Sequence, residues 1–249
     1  MIRLFVLDID GCISYPFKSP VWDNLAKIRH LNELSRQDKT IPSLSICSGR
    51  PHPYVEAVSQ WLDIDHPVVF ESGGGFYRVK SNSLQWHPVI TEEVFKNNEL
   101  LKYWVESEVI PHYPGMIREF SKKTDVGLVS SSEEDILSAF ERISRYVTDN
   151  FPDYEVHHTE VSVNIIVRNC NKGEGLKYLS DITGISLSEM AYIGDSSGDI
   201  SALKTVSRAF APSNASNGVK EIAQVVRGET SDAILAAYDI IIAENRQPS

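Results

Sequence analysis

The stretch that decides the fold is Leu4-Phe5-Val6-Leu7-Asp8-Ile9-Asp10-Gly11. Its apolar run stops at a turn that contains glycine, which is typical of a buried central strand in an α/β sheet. The carboxyl ends of such strands are where open sheets bind ligands. Asp8 and Asp10 lie two positions apart, so their like charges repel each other unless a cation or a proton intervenes. Taken alone, the segment could equally be an Asp- and Gly-rich turn.

The overall charge of the chain is acidic. With 34 acidic against 24 basic residues, the 249-residue chain has a net charge of −10. This balance argues against a nucleic-acid backbone or an anionic membrane surface as the main partner. At 42 % hydrophobic residues, the chain can bury a sizeable core. A small soluble ligand is therefore the expected partner.

The sequence pattern predicts neither a secretory signal nor a membrane anchor. The N-terminus resembles neither a secretory signal nor a membrane-spanning start, and no later stretch approaches the ~20 apolar residues of a membrane span. Cys12, Cys47 and Cys170 are too few and too scattered for a disulfide framework or a zinc site. We therefore predict a cytoplasmic protein.

Strands and helices alternate over the first and last parts of the chain. Helical spacing follows from Trp22 to Leu34, and the apolar segments Ser43–Cys47 and Pro67–Phe70 predict two further strands. The rhythm resumes after Asn171 with a helix from Lys172. This alternation predicts an α/β class with a doubly wound, Rossmann-like parallel sheet, formed by residues 1–78 and 169–249.

An insert of different character separates these two parts. Residues 79–168 combine hairpin-like and strand-like segments with two helical ones, which predicts an α+β domain. Ser131 and Glu134 are spaced as a capping box for the second helix, which continues to about Asn150.

Four short polar segments stand at predicted strand ends or helix starts of the larger domain. They are Asp8-Ile9-Asp10-Gly11, Ser48-Gly49-Arg50, Asn171-Lys172-Gly173 and Gly194-Asp195-Ser196-Ser197-Gly198-Asp199. In order, spacing and flanking structure they resemble the four motifs of the haloacid dehalogenase (HAD) superfamily of phosphohydrolases. Each segment alone also fits an ordinary turn or cap, but the four together around an insert of this size are specific.

The resemblance implies roles for these residues. Asp8 would be the nucleophile that forms a phosphoaspartate, and Asp10 would protonate the leaving alcohol and then activate water. Lys172 would bridge Asp8 and the phosphoryl oxygens. Like-charged groups would crowd such a site, so it requires cations. Mg²⁺, a hard ion that prefers oxygen ligands, would be bound by four residues: Asp8, Asp10 through its main-chain carbonyl, Asp195, and Asp199 directly or through water.

The phosphate would be bound by Ser48, the Gly49 amide and Arg50, with glycine permitting close backbone approach. Asn214, after an apolar Phe-Ala pair, resembles a late supporting Asn of the family. Two positions depart from the family pattern: Cys12 stands where Thr is usual, and Gly198 where Asn is common. The three thiols are expected to pack under the site, with sensitivity to oxidation as the alternative.

The position of the insert resembles a C2-type cap that covers the site and selects the leaving group. The polar candidates for specificity within it are Arg118, Glu119, Lys122, Lys123, Thr124 and Asn164. The chain resembles the phosphoglycolate and sugar-phosphate phosphatases most, so a small phosphorylated metabolite is the expected substrate. The alternatives are a phosphomannomutase-like phosphotransferase and a catalytically silent protein that binds such a metabolite.

Overall fold

A five-stranded parallel sheet forms the centre of the computed structural model, which describes residues 1–247. In spatial order its strands are β12 (Gln224–Val225), β11 (Arg208–Ala211), β10 (Met190–Ile193), β1 (Leu4–Leu7) and β2 (Ser43–Ile46). The apolar run of the N-terminus thus lies between β10 and β2, with Leu4 beside Met190 on one side and Ser43 on the other.

Helices cover both faces of this sheet. They are α1 (Trp22–Leu34), α2 (His52–Trp61), α5 (Lys172–Thr183), α6 (Ile200–Leu203), α7 (Asn217–Lys220) and α8 (Thr230–Asn245). Because side chains alternate across a strand, Phe5 and Leu7 pack into the apolar core formed with α1, α2 and α8, while Leu4 and Val6 pack into the core formed with α5, α6 and α7. The larger part of the chain is therefore doubly wound, as its strand–helix alternation predicts.

The next sheet continues from the edge of the parallel one. Strands β3 (Val68–Phe70), β4 (Gly75–Arg78) and β5 (Ser83–Trp86) form an antiparallel sheet, with the β4–β5 hairpin as predicted. A single parallel bridge between Cys47 and Val69 connects it to the central sheet. The predicted third strand therefore exists, but its ladder is formed with β4 and not with the central strands.

The insert is an α+β cap. Its antiparallel sheet has the order β6 (Ile117–Arg118), β7 (Val126–Val129), β9 (Ser162–Val167) and β8 (Tyr154–His158). Helices α3 (Glu92–Trp104) and α4 (Glu133–Asn150) pack on one face of the sheet around a separate apolar core. The other face of the cap sheet lines the cavity described below.

Sequence reasoning misjudged some details. Ser132, not Ser131, caps α4, and its side chain accepts a hydrogen bond from the Asp135 amide. Strands β11 and β12 and helix α7 were not predicted, because each has only two to four residues and too short a pattern to read.

The limits of the cap, 79–168, stay a prediction; position 79 lies in the connection between the paired strands β4 and β5. None of the helices within residues 1–247 is long and apolar enough to cross a membrane.

Candidate active site

The floor of the site is an ion pair between the ends of two distant elements. Asp8 directly follows β1, and Lys172 is the first residue of α5. The Lys172 Nζ lies 2.8 Å from Asp8 Oδ1 and 2.6 Å from Asp199 Oδ1, and all three side chains are buried. The ammonium donates a hydrogen bond to Asp199. Its contact with Asp8 Oδ1 is an ion pair whose angles do not fit a hydrogen bond. One cation thus lies between two carboxylates.

The start of α5 positions this lysine. Asn171 is the N-cap, and its Oδ1 accepts hydrogen bonds from the backbone amides of Gly173 and Glu174 at 3.0 and 3.2 Å. Such a cap satisfies donors that the first helical turn otherwise leaves free. The helix therefore begins at Lys172, beside the end of β1.

Asp199 lies behind the site instead of facing it. Its Oδ2 accepts hydrogen bonds from the Asp195 amide and from the amide and hydroxyl of Ser196, at 3.0 to 3.1 Å. Its Oδ1 accepts from Lys172 and from the Tyr192 hydroxyl, at 2.6 and 2.5 Å. Both oxygens are thus occupied by protein donors, which lower the pKa of this carboxyl. These contacts place Asp199 against Lys172, and its contact with a metal, directly or through water, stays a prediction.

The Asp195 carboxylate packs against the backbone of Gly11, in the turn that follows β1. Gly11 has a φ of +73°, and a Cβ built there would lie 2.0 Å from Asp195 Oδ2. Only a residue without a side chain allows this contact. Potential ligand atoms of Asp8, Asp195 and Cys12 consequently lie within 4.8 Å of one another.

The charge of this cluster fits a divalent cation. Burial, followed by the negative charge of Asp199, raises the pKa of Asp8 to about 7 and that of Asp195 to about 8. The single Lys172 ammonium therefore does not compensate the carboxylates. Burial also raises the pKa of the Cys12 thiol well above its usual value, so this sulfur stays protonated. The available donors are hard oxygens, which suit Mg²⁺ better than a thiophilic metal.

Asp10 is fixed by an arginine from the second motif. Arg50 donates from Nε and Nη2 to the two Asp10 oxygens at 2.6 and 2.8 Å, a bidentate pair. Its Nη1 lies 3.7 Å from Glu119 Oε1 of the cap. The guanidinium also lies over the rings of Phe17 and Tyr54, at 5.7 and 5.2 Å. Arg50 thus connects the core carboxylate to the cap.

The second motif and the late asparagine form the remaining edge of the site. The buried Ser48 accepts from the Arg50 amide at 3.3 Å, and Gly49 packs so closely on Ser72 that a Cβ would lie 3.3 Å from its hydroxyl. Asn214 donates to the Gly11 carbonyl and accepts from the Thr230 amide, at 3.0 and 3.1 Å. Asn214 therefore supports the loop that carries Asp10.

A cavity of ≈ 950 Å³ lies between the core and the cap. The structure brings most predicted site residues to its wall: Asp8, Asp10, Ser48, Gly49, Arg50, Lys172, Asp195 and Asn214. Asp199 is not part of the wall. Of the cap candidates, Glu119, Lys122 and Asn164 line the cavity.

The other cap candidates, Arg118, Lys123 and Thr124, are not among the residues that line the cavity. Arg118 pairs with Glu106 at 2.7 Å. The backbone amides of Lys123 and Thr124 donate to Glu71 Oε2 at 2.8 and 2.6 Å.

Sequence reasoning missed residues that matter to this geometry. Tyr192 lies in the middle of an apolar strand, where an aromatic residue indicates core packing, and only its hydroxyl contact with Asp199 reveals its role. Glu71 and Ser72 have φ values of +49° and +57°, a conformation costly for residues with side chains. Ser162 lines the cavity from β9, where no motif marks it.

Comparison with known proteins places this geometry in context. Residues 115–237 match the family model described as haloacid dehalogenase-like hydrolase. A protein named phosphoglycolate phosphatase from Methanococcoides burtonii is 26 % identical over 247 residues, 98 % of each chain. One of the same name from Methanopyrus kandleri is 28 % identical, over 91 % of this chain and 90 % of its own.

Solved structures share the fold at lower identity. A Thermoplasma acidophilum protein has a TM-score of 0.74 at 19 % identity, covering 97 % of this chain and 98 % of its own. The sucrose-phosphatase of Synechocystis has a TM-score of 0.69 at 14 % identity, with the same coverage. The core with an inserted cap is therefore a known architecture.

Proposed function

We propose that the chain is a phosphatase of the haloacid dehalogenase-like hydrolase superfamily. On this premise, it hydrolyses a small phosphorylated metabolite with the aid of Mg²⁺. The substrate would be a sugar phosphate or phosphoglycolate, and the reaction would pass through a phosphoaspartate. The observation that carries the proposal is the Lys172 ammonium, 2.8 Å from Asp8 at the floor of a cavity that Asp10 and Asp195 also line.

Asp8 would attack phosphorus. Hydrolysis of phosphate monoesters is so slow that enzymes accelerate it by up to about 10²¹-fold, and a covalent intermediate divides the reaction into two easier steps. A carboxylate must be ionised to act as the nucleophile, and the nearby Lys172 lowers the pKa of Asp8 against the effect of burial. The same ammonium would attract the equatorial phosphoryl oxygens.

Asp10 would serve the leaving group. It would donate a proton to the departing alcohol and then take a proton from the water that attacks the phosphoaspartate. Its two oxygens are paired with Arg50, so the guanidinium orients this carboxyl toward the cavity. A substrate phosphate would compete with Asp10 for Arg50, and this would free Asp10 to take up the proton that it passes to the departing alcohol.

Asp8, Asp195 and the Asp10 carbonyl are the groups that would hold Mg²⁺. A bound divalent cation would offset the negative charge that these carboxylates and the phosphate bring together. We propose Asp199 as a positioning residue for Lys172, since its oxygens are filled. Ser48 and the Gly49 amide would bind phosphate oxygens.

The cap, proposed as residues 79–168, would exclude water during transfer and select the leaving group. Three unpaired thiols, all buried, accord with a reducing compartment, so we propose a cytoplasmic location.

The test is phosphate release from p-nitrophenyl phosphate, sugar phosphates and phosphoglycolate with Mg²⁺ present. Asp8→Asn should abolish turnover and keep the native circular dichroism spectrum. Asp149→Asn, an equal charge change on an exposed position of α4, should retain full activity.

Each alternative has its own result. Transfer of the phosphoryl group to a second sugar would indicate a phosphotransferase, and binding of phosphometabolites without any release would indicate a silent binding protein. Substantial turnover by Asp8→Asn would overturn the assignment of the nucleophile.

A further inference from the structure

One face of the cap sheet forms the roof of the cavity. On β9, Ser162 and Asn164 face the cavity, whereas Val163 and Ile165 pack into the cap core, as alternation along a strand requires. The same cavity contains Asp8 at its floor. The leaving group of a substrate held at Asp8 would therefore lie against this roof.

A glycine in the roof makes room for a polar cluster, which we call the roof cluster: Glu119, Lys122, Asp125 and Asn164. A Cβ on Gly127 would lie 2.4 Å from Glu119 Oε2 and 2.9 Å from Lys122 Nζ. The cluster thus packs directly on bare backbone of β7.

The only lysine of the roof cluster has no free donor. Lys122 is 2 % exposed, and its Nζ lies 3.0 Å from Glu119, 3.2 Å from Asp125 and 2.9 Å from the Asn164 side-chain oxygen. An ammonium has three N–H groups, and three acceptors surround this one. Burial raises the pKa of Asp125 to about 7, so Glu119 and a partly ionised Asp125 together offset the Lys122 ammonium. The cluster therefore presents no uncompensated positive charge to a further carboxylate.

The other lysines and arginines that line the cavity are paired or exposed. Arg50 is paired with Asp10 and Glu119, and Lys172 with carboxylates at the floor. Lys18, Glu133 and Glu160 also line the cavity, but all three are exposed, so water and salt screen their charges. A carboxylate on the leaving group would therefore find no unpaired cation among the buried and half-buried residues that line the cavity.

Neutral polar groups continue the roof beyond the cluster. The Asn164 amide donates to the Ser162 hydroxyl at 3.1 Å, and Ser162 lies 2.9 Å from the Thr159 hydroxyl. All three line the cavity and are half-buried. Hydroxyls both donate and accept, so they match the hydroxyls of a sugar ring. A cavity of ≈ 950 Å³ also exceeds what a two-carbon acid needs.

We infer, given the proposed phosphatase function, that the roof selects a neutral, hydroxyl-rich leaving group, as in a sugar phosphate, over a leaving group that carries a carboxylate, as in phosphoglycolate. Ser162, Asn164 and Thr159 are its specificity-determining residues.

The first test compares kcat/KM for phosphate release from glucose, fructose and mannose phosphates with that for phosphoglycolate. At least one sugar phosphate should exceed phosphoglycolate by about tenfold or more. Phosphoglycolate equal to or better than every sugar phosphate would overturn the inference while leaving the phosphatase function standing. No release from any ester, p-nitrophenyl phosphate included, would refute the proposed function itself and the inference with it.

Two variants of the roof test its residues. Ser162→Ala should lower kcat/KM for the preferred sugar phosphate by about three- to tenfold, the effect of one lost neutral hydrogen bond, and change that for phosphoglycolate less than twofold. Ser162→Lys places a cation in the roof, so it should shift the ratio toward phosphoglycolate by about tenfold.

Ser107→Lys, at an exposed cap position outside the cavity, is the matched control and should leave the ratio unchanged. Thermal melting checks that each variant is folded. An unchanged ratio in both folded Ser162 variants would contradict the role of the roof.

Discussion

Replacement of Gly11 by alanine tests how the site is assembled. Gly11 has a φ of +73°, and Gly184, at the end of α5, has a φ of +67°. A side chain in this left-handed region costs about 1–2 kcal/mol. Nothing lies within 4 Å of a Cβ at Gly184, so Gly184→Ala shows the backbone cost alone. Both variants should lose at least about 1–2 kcal/mol of unfolding free energy in urea titrations.

The two variants differ in what the new methyl group meets. At Gly11 it would lie 2.0 Å from Asp195 Oδ2, whereas ordinary contact begins at 3.4 Å. The Asp195 carboxylate must therefore move by at least about 1.4 Å, and a misplacement of this size at a reacting centre costs about 100-fold in rate. We expect phosphate release by Gly11→Ala to fall by about two orders of magnitude, and Gly184→Ala to stay near the wild-type rate.

The assay is kcat for phosphate release at saturating substrate and divalent cation, measured well below the melting temperature of both variants. Equal activity of the two alanine variants would refute the conclusion that Asp195 acts from its position against Gly11. A loss of activity in Gly184→Ala alone would refute the placement of the site at the β1 turn.

Three further outcomes follow from buried and charged groups. Glu71→Gln should lower the unfolding free energy by about 1–3 kcal/mol, because Glu71 Oε2 accepts three hydrogen bonds from Lys123 and Thr124; an unchanged urea midpoint would contradict this. Burial lowers the pKa of His66 below its ordinary 6.5, so the unfolded chain binds the proton first and stability should fall as pH drops through 6.5; His66→Gln should weaken this dependence in titrations at pH 7 and 5. Removal of divalent cations by a chelator should stop phosphate release, and added Mg²⁺ should restore it, whereas undiminished release in chelator would exclude the metal.

The fold could be predicted largely because its signals are local. The run Leu4–Leu7 is apolar at every position, as a strand buried on both faces must be, and the amphipathic spacing of α4 is carried by the chain itself. Short elements were not predicted because they have too few residues to show a pattern. Strand β12, for example, has two residues and is stabilised by its pairing with β11. The partner of β3 depended likewise on which strands came close in space.

The sequence by itself determined that Asp8, Asp10, Lys172 and Asp195 would meet, because strand ends and helix starts of a parallel sheet converge at one edge. Only the tertiary structure decided how each charge is used. Asp199 holds Lys172 with both oxygens filled, and Lys122 is neutralised inside the cap. The physical reason is that pairing and desolvation depend on distances of a few ångströms between residues far apart in the chain, which no local pattern encodes.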